Sequence, residues 1–258
     1  MPEGSSKTIE SLKSPSPPMI PRLARLPLIA LLFLQAGFIE LRADSEWRPW
    51  FEKIHSRLAD TLTAPQRSSL GKPPVRLTDG KNPGVESADR QVVVSDTALE
   101  LWGRLALAIG RDAACPGYLA EFLRRCADAP DGLAPLPDPA EIPSKKPRKP
   151  VTDDRNQQLT AFNQLAATWV ATELVRTSLG SALDPANRTD AQALETLREG
   201  TRLAARSGYT SEALQSLVSA LPAGTPTPVW ARSLLPSQTL GPALAKEIKK
   251  VERKALGR

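Results

Sequence analysis

Histidine and cysteine are nearly missing from this chain. One histidine and two cysteines occur in 258 residues, and aromatic residues make up only 5%. A zinc site needs several His, Cys or carboxylate ligands that converge, and His55 with the distant Cys115 and Cys126 does not offer that set. A Ser-His-Asp or Cys-His site would have to use His55, and no nucleophile sits in a recognisable elbow. His55 falls one residue after Ile54, near the edge of an apolar face, and reads as a surface or cap histidine. Two cysteines do not make a disulfide framework. On one straight helix Cys115 and Cys126 would lie about 16 Å apart, too far to bridge; their pairing stays open. No glycine precedes Gly71-Lys72 at phosphate-loop spacing, which removes a nucleotide loop. Ser69-Leu70-Gly71-Lys72 matches S-x-x-K, but Ser69 falls in a turn-rich stretch and no K-T-G partner exists. No cofactor and no metal are expected.

Long apolar runs are also scarce. The longest, Leu26 to Ile39, has 14 residues and is interrupted by Pro27 and Gln35. As a helix it would span about 21 Å, short of a bilayer core of about 30 Å. Arg22 and Arg25 precede it, and no acidic residue lies between Met19 and Ile39. A basic flank, a short apolar core and a small residue at the cut describe a secretory signal peptide. Residues 1–43 are therefore expected to be a leader, with Met19 as its true start and Ala43 or Ala36 as the cut. The alternatives are an uncleaved anchor over residues 26–39 and a buried helix. No cysteine follows the run closely, which excludes a lipoprotein cut. The expected location is periplasmic or extracellular, or anchored at the inner membrane if residues 26–39 stay in place.

Proline is plentiful, at 25 residues, roughly twice the usual share. Seven fall between Pro130 and Pro150. Such a stretch is neither helix nor central strand, and is expected to be a semi-rigid spacer. The reading is an all-α protein, an irregular helical bundle of hairpins in two lobes with long Pro-rich loops. Residues 44–129 form the first lobe, with a loop at 64–95; residues 130–150 form a basic linker; residues 151–258 form the second lobe. Trp47, Phe51, Ile54, Leu58 and Leu62 share one helix face. Gln91 to Val94 is the one convincing β-prone run. Thr97 with Glu100, and Thr189 with Gln192, are capping-box patterns at helix starts. Asp153 and Asp154 suit the positive end of a helix carrying Leu159, Phe162, Ala166, Trp169 and Val170. Trp230 anchors a Pro-rich loop, and Pro242 starts the last helix.

The formal charge of +6 is concentrated. Residues 246–258 hold six Lys and Arg against Glu247 and Glu252. The linker adds Lys145, Lys146, Arg148 and Lys149. The fold between these patches is not basic, so nucleic acid is not an expected partner. The linker patch and Lys249, Lys250, Arg253 and Lys254 on the terminal helix are the candidate contacts for an anionic surface or a protein partner. The apolar stripe of that helix is thin and lacks aromatics, so contact with lipid would be weak. Asn187-Arg188-Thr189 is a glycosylation sequon where the host offers that route.

Glu173 falls inside an apolar stripe. A carboxylate there is desolvated and its pKa raised, as general acids need. Arg176 at i+3 offers an ion pair instead.

Two segments resemble tetratricopeptide helical hairpins. Trp102, Leu105, Phe122 and Pro130 fall at that repeat's offsets in the first; Leu197, Gly208, Ala213, Leu217 and Ala220 do so in the second. Tyr118 stands where the first needs a small residue, and Leu197 stands in place of the signature Trp in the second. The resemblance implies two antiparallel helix pairs, a geometry that ordinary hairpins also reach.

The functional expectation is an exported helical binding or scaffolding protein of the bacterial cell envelope, with a protein partner. One alternative is a carboxylate-dependent envelope hydrolase using Glu173 and His55. Another is a membrane-anchored protein whose basic patches bind anionic partners.

Overall fold

The computed structural model describes residues 46–80, 83–129, 132–143, 152–180 and 188–257. The expected leader, the Lys145–Lys149 patch and Asn187 lie outside the described residues. Among the described residues no helix is long and apolar enough to cross a membrane.

The fold is mostly helical. Helix α1 spans 46–61 and buries the expected face of Trp47, Phe51, Ile54, Leu58 and Leu62. Helix α2, Ala64–Ser69, follows, and then strands β1 (Val75–Thr78), β2 (Val85–Ala88) and β3 (Gln91–Ser95). Helices α3 (Asp96–Asp112), α4 (Tyr118–Asp128), α5 (Arg155–Ser178), α6 (Asp190–Arg206), α7 (Glu212–Ala220) and α8 (Gly241–Ala255) complete it.

Residues 64–95 are therefore not a loop. A full capping box starts α2: the Thr63 side chain accepts from the Gln66 amide, and Gln66 reaches back to the Thr63 amide. The strands form one sheet of order β1-β3-β2. β1 runs parallel to β3 with Val75 opposite Val92, and β2 runs antiparallel with Val85 opposite Val94. Only β3 has the Val-rich run of a strand covered on both sides. β1 and β2 are four-residue edge strands with mixed exposure, too short to show a period. The helical expectation holds broadly, and this small sheet is added to it.

The two-lobe expectation is also corrected. The described residues all belong to one compact unit, and a single apolar cluster runs through both halves. Helix α5 sits at its centre and is buried almost all round from Ala161 to Thr177. It packs against α3, α6, α7 and the sheet. A chain of rings crosses the expected boundary. Trp47 stacks on Phe162 at 4.4 Å, Trp102 lies 5.6 Å from Trp169, and Trp169 lies 6.0 Å from Trp230. Residues 132–143 lie along α3 and α4 instead of spanning a gap. Ala134 and Ile142 are buried. Proline cannot join a ladder, so the carbonyls here accept from side chains. Arg104 donates to the Ala134 carbonyl at 2.9 Å and the Tyr118 hydroxyl to that of Pro137 at 2.8 Å.

Gly200 sets the approach of α6 to α5. A Cβ there would lie 2.5 Å from the Thr172 Cα and 2.7 Å from its nitrogen. Those are backbone atoms that no rotamer change removes. Gly200→Ala should therefore destabilise the protein by about 1–3 kcal/mol, toward the upper end of the overpacking range. That outweighs the ~1 kcal/mol alanine ordinarily gains over glycine in a helix. A urea midpoint that stays put or rises would show that the helices are not held at this distance.

Candidate functional site

Two places carry polar groups in unusual settings. The first is Glu173 on α5. Its side chain is fully buried. Oε2 accepts from Arg176 Nε at 2.8 Å and also from Nη2 of the same side chain, the expected i+3 pair. Arg176 reaches on to Ser87 of β2 at 3.2 Å, and the Ser87 and Thr177 hydroxyls share a hydrogen bond of 2.6 Å. The cluster thus pins the edge of the sheet to α5. Glu173 Oε1 has no hydrogen-bond partner among the described residues. Burial raises the Glu173 pKa, and the Arg176 and Arg188 charges only partly oppose it. Arg188 donates to the carbonyls of Arg232, Ser233 and Leu235, and burial lowers its pKa. A cavity of about 200 Å³ lies beside Arg176 and Arg188. Its carboxylates, Glu195 and Glu199, are paired with Arg198 and Arg202.

An acid–base pair needs a second titrating group near Glu173. Arg176 occupies the position instead. His55 packs on Phe51 at 5.5 Å, and burial lowers its pKa. No contact joins it to Glu173 among the described residues. Ser69 ends α2, where its hydroxyl donates to the Gln66 carbonyl, so the S-x-x-K match carries no nucleophile. Cys115 and Cys126 are buried, and neither is in a disulfide among the described residues. No cluster of three or more His, Cys, Asp or Glu that could hold a metal occurs among the described residues.

The second place is a groove between the α3–α4 and α7–α8 pairs. It holds about 730 Å³, and Ile109, Leu119, Ala220 and Ala245 contribute apolar lining while Ser216 and Ser219 add hydroxyls. A further 470 Å³ opens alongside it, sharing Glu212, Gln215 and Lys249. The walls follow from local sequence. Pro222 lies just past the end of α7, and Pro242 fits the first turn of α8. Leu244, Ile248 and Val251 turn into the core, so Lys246, Lys249, Lys250, Arg253 and Lys254 are left exposed.

Two of the acidic residues at this groove are already engaged. Asp112 accepts from the amides of Gly117 and Leu119, both at 3.0 Å, at the start of α4. Glu252 accepts from the Ser211 amide at 3.2 Å, the Ser211 hydroxyl and Gln215 at the start of α7. Each carboxylate satisfies N–H groups that a helix start leaves open. Nine arginines elsewhere hold a carboxylate within 4.0 Å, from Arg48 to Arg202. Among the described residues no ion pair is made by any of the five α8 cations.

Sequence reasoning finds the basic face of α8, including Lys249, Lys250, Arg253 and Lys254. It misses the groove, whose walls lie more than ninety residues apart.

No family model matches this chain, and no curated protein or solved structure matches it either. The packing also departs from the tetratricopeptide resemblance. α3 and α4 do pair, but α6 packs on α5 and α8, and α7 packs on α8 and α5.

Proposed function

We propose that this protein is a helical binding or scaffolding module of the bacterial cell envelope, with the groove between α3–α4 and α7–α8 as its contact surface. One observation carries the reading: an open, partly apolar groove is bordered by exposed α8 cations that make no ion pair among the described residues. Nine arginines elsewhere hold carboxylates, and the α8 row joins cations without an ion pair to a cavity, which is where an outside partner gains. The hydrolase reading is weaker because the buried carboxylate is held by Arg176 and lacks an acidic neighbour.

Photo-crosslinking in cells tests the contact surface. A benzophenone amino acid at Ser216, in the groove, should give one discrete crosslinked product; the same group at Ser56, exposed on α1, should not. Equal products from both positions, or none from Ser216, would remove the groove as a contact surface. Export is tested separately by sequencing the N-terminus of the cellular protein. A start at Asp44 or Gly37 is expected; an intact residue 26–39 segment would exclude it.

A further inference from the structure

We propose that the occupant of this groove is an extended acidic peptide segment. It would place alternate carboxylates on the α8 rim and small neutral side chains toward α3–α4. The inference rests on the groove being a contact surface and names the chemistry that fits it.

Charge decides the first part. Lys246, Lys249 and Arg253 line the groove from α8. Of the acidic lining residues, Asp112 and Glu252 keep their charge but are turned onto the positive helix starts described above. Glu212 alone is exposed and outside any ion pair among the described residues. Three exposed cations thus face three carboxylates, of which Asp112 and Glu252 are set against the positive starts of α4 and α7 and only Glu212 is exposed. A ligand with several negative charges is attracted, and a basic one is repelled.

Spacing decides the second part. Lys249 and Arg253 are four residues apart on a helix, about 6 Å along its axis. In an extended chain, side chains on the same side recur about every 6.6 Å. Acidic residues at every second position therefore match the rim. The intervening side chains point at the α3–α4 wall, where Asp112 disfavours acids. Ala113 on that wall, with Ser216, Ser219 and Ala220 on α7, leaves room for small groups.

A membrane surface fits less well. A helix that rests on lipid inserts an apolar face, and Leu244, Ile248 and Val251 of α8 are buried in the protein. The cations of the groove also border a recess that a flat bilayer does not enter.

The probe is a fluorescein-labelled twelve-residue peptide of alternating Glu and Ala, followed by anisotropy with the full chain. The comparison probes are alternating Lys-Ala and vesicles of phosphatidylglycerol with phosphatidylcholine. K249E/R253E should weaken Glu-Ala binding about tenfold or more. K250E/K254E makes the same change in net charge on the outer side of α8 and should leave binding within about twofold. Ser216→Trp fills the recess without changing charge and should also weaken binding. Higher salt should weaken it further, because the rim is exposed to solvent. All four substituted α8 positions and Ser216 are exposed, and unchanged circular dichroism confirms that the variants fold. Equal losses for the two double variants would overturn the proposal, since net charge alone would then account for binding. So would preference for Lys-Ala, for vesicles, or for no probe at all. In those cases a groove-specific crosslink from Ser216 would still stand, and only the chemistry of the occupant would fall.

Discussion

Glu173→Ala should lower the unfolding free energy by about 3–5 kcal/mol, the range for breaking a buried ion pair from one side. The substitution leaves the Arg176 guanidinium buried, with its side chain 4% exposed, and arginine cannot shed its proton to escape. Arg176→Met is expected to cost less, about 1–3 kcal/mol, because Glu173 can take up a proton and become neutral. This asymmetry carries a pH signature. The folded pKa of Glu173 is raised by burial above the ordinary 4.5. A group raised in this way contributes stability that is fully present below its unfolded value and lost as pH rises through its folded value. Removing Arg176 lifts the folded value further. The cost of Arg176→Met should therefore be smallest near pH 4 and grow with rising pH. Exposed pairs have the opposite sign. The Glu121 carboxylate, hydrogen-bonded by Arg124 and Arg125, is held down to about 2, and Arg111 lowers Asp153. Those contributions are present above the ordinary carboxylate value and fade in acid. They are shared by both proteins and cancel in the difference between variant and wild type. Urea titrations across pH check this. A pH-independent cost would show that Glu173 does not change protonation, and a larger cost for Arg176→Met than for Glu173→Ala would reverse the assignment of the stranded charge.

Trp169→Ala should cost a similar amount, about 3–5 kcal/mol. The indole is fully buried, lies between Trp102 and Trp230, and donates from Nε1 to the Ser233 hydroxyl at 3.0 Å. Truncation removes the rings' shared contact and strands Ser233, which is itself 7% exposed. One core predicts one transition: wild type and variant should each unfold in a single step by fluorescence and circular dichroism alike. Two separated transitions, with the variant shifting only the later one, would restore the two-lobe arrangement that the proline-rich stretch suggests.

Local signals were readable where one element satisfies its own needs. The α1 stripe from Trp47 to Leu62, the Thr189–Gln192 capping box and Trp230 as a loop anchor all stand where the pattern puts them. Competition between neighbours shifted another start. At α3 it is Ser95 whose hydroxyl accepts from the Ala98 amide at 3.0 Å, while Thr97 donates to the Gly80 carbonyl. Both residues suit a helix start, and only the position of Gly80 separates them. The start of α2 is legible too: Thr63-Ala64-Pro65-Gln66 holds the same box as α6, masked by the turn residues around it. The sheet and the groove were not legible, because pairing and cavity walls depend on segments far apart in sequence. Glu173 stood out because a carboxylate interrupts an apolar stripe. Sequence placed it beside Arg176, and packing added Ser87, Thr177 and Arg188.

The central position of α5 also sets a schedule. On a chain made from its N-terminus, Trp102 emerges 67 residues before Trp169. At about 5–20 residues per second, that interval lasts roughly 3–13 s. Throughout it the greasy sides of α1 and α3 lack the α5 face that they pack against. A newborn molecule therefore keeps apolar surface uncovered until its fifth helix arrives, and a ribosome that stalls before Arg155 releases a fragment with no route to a finished interior.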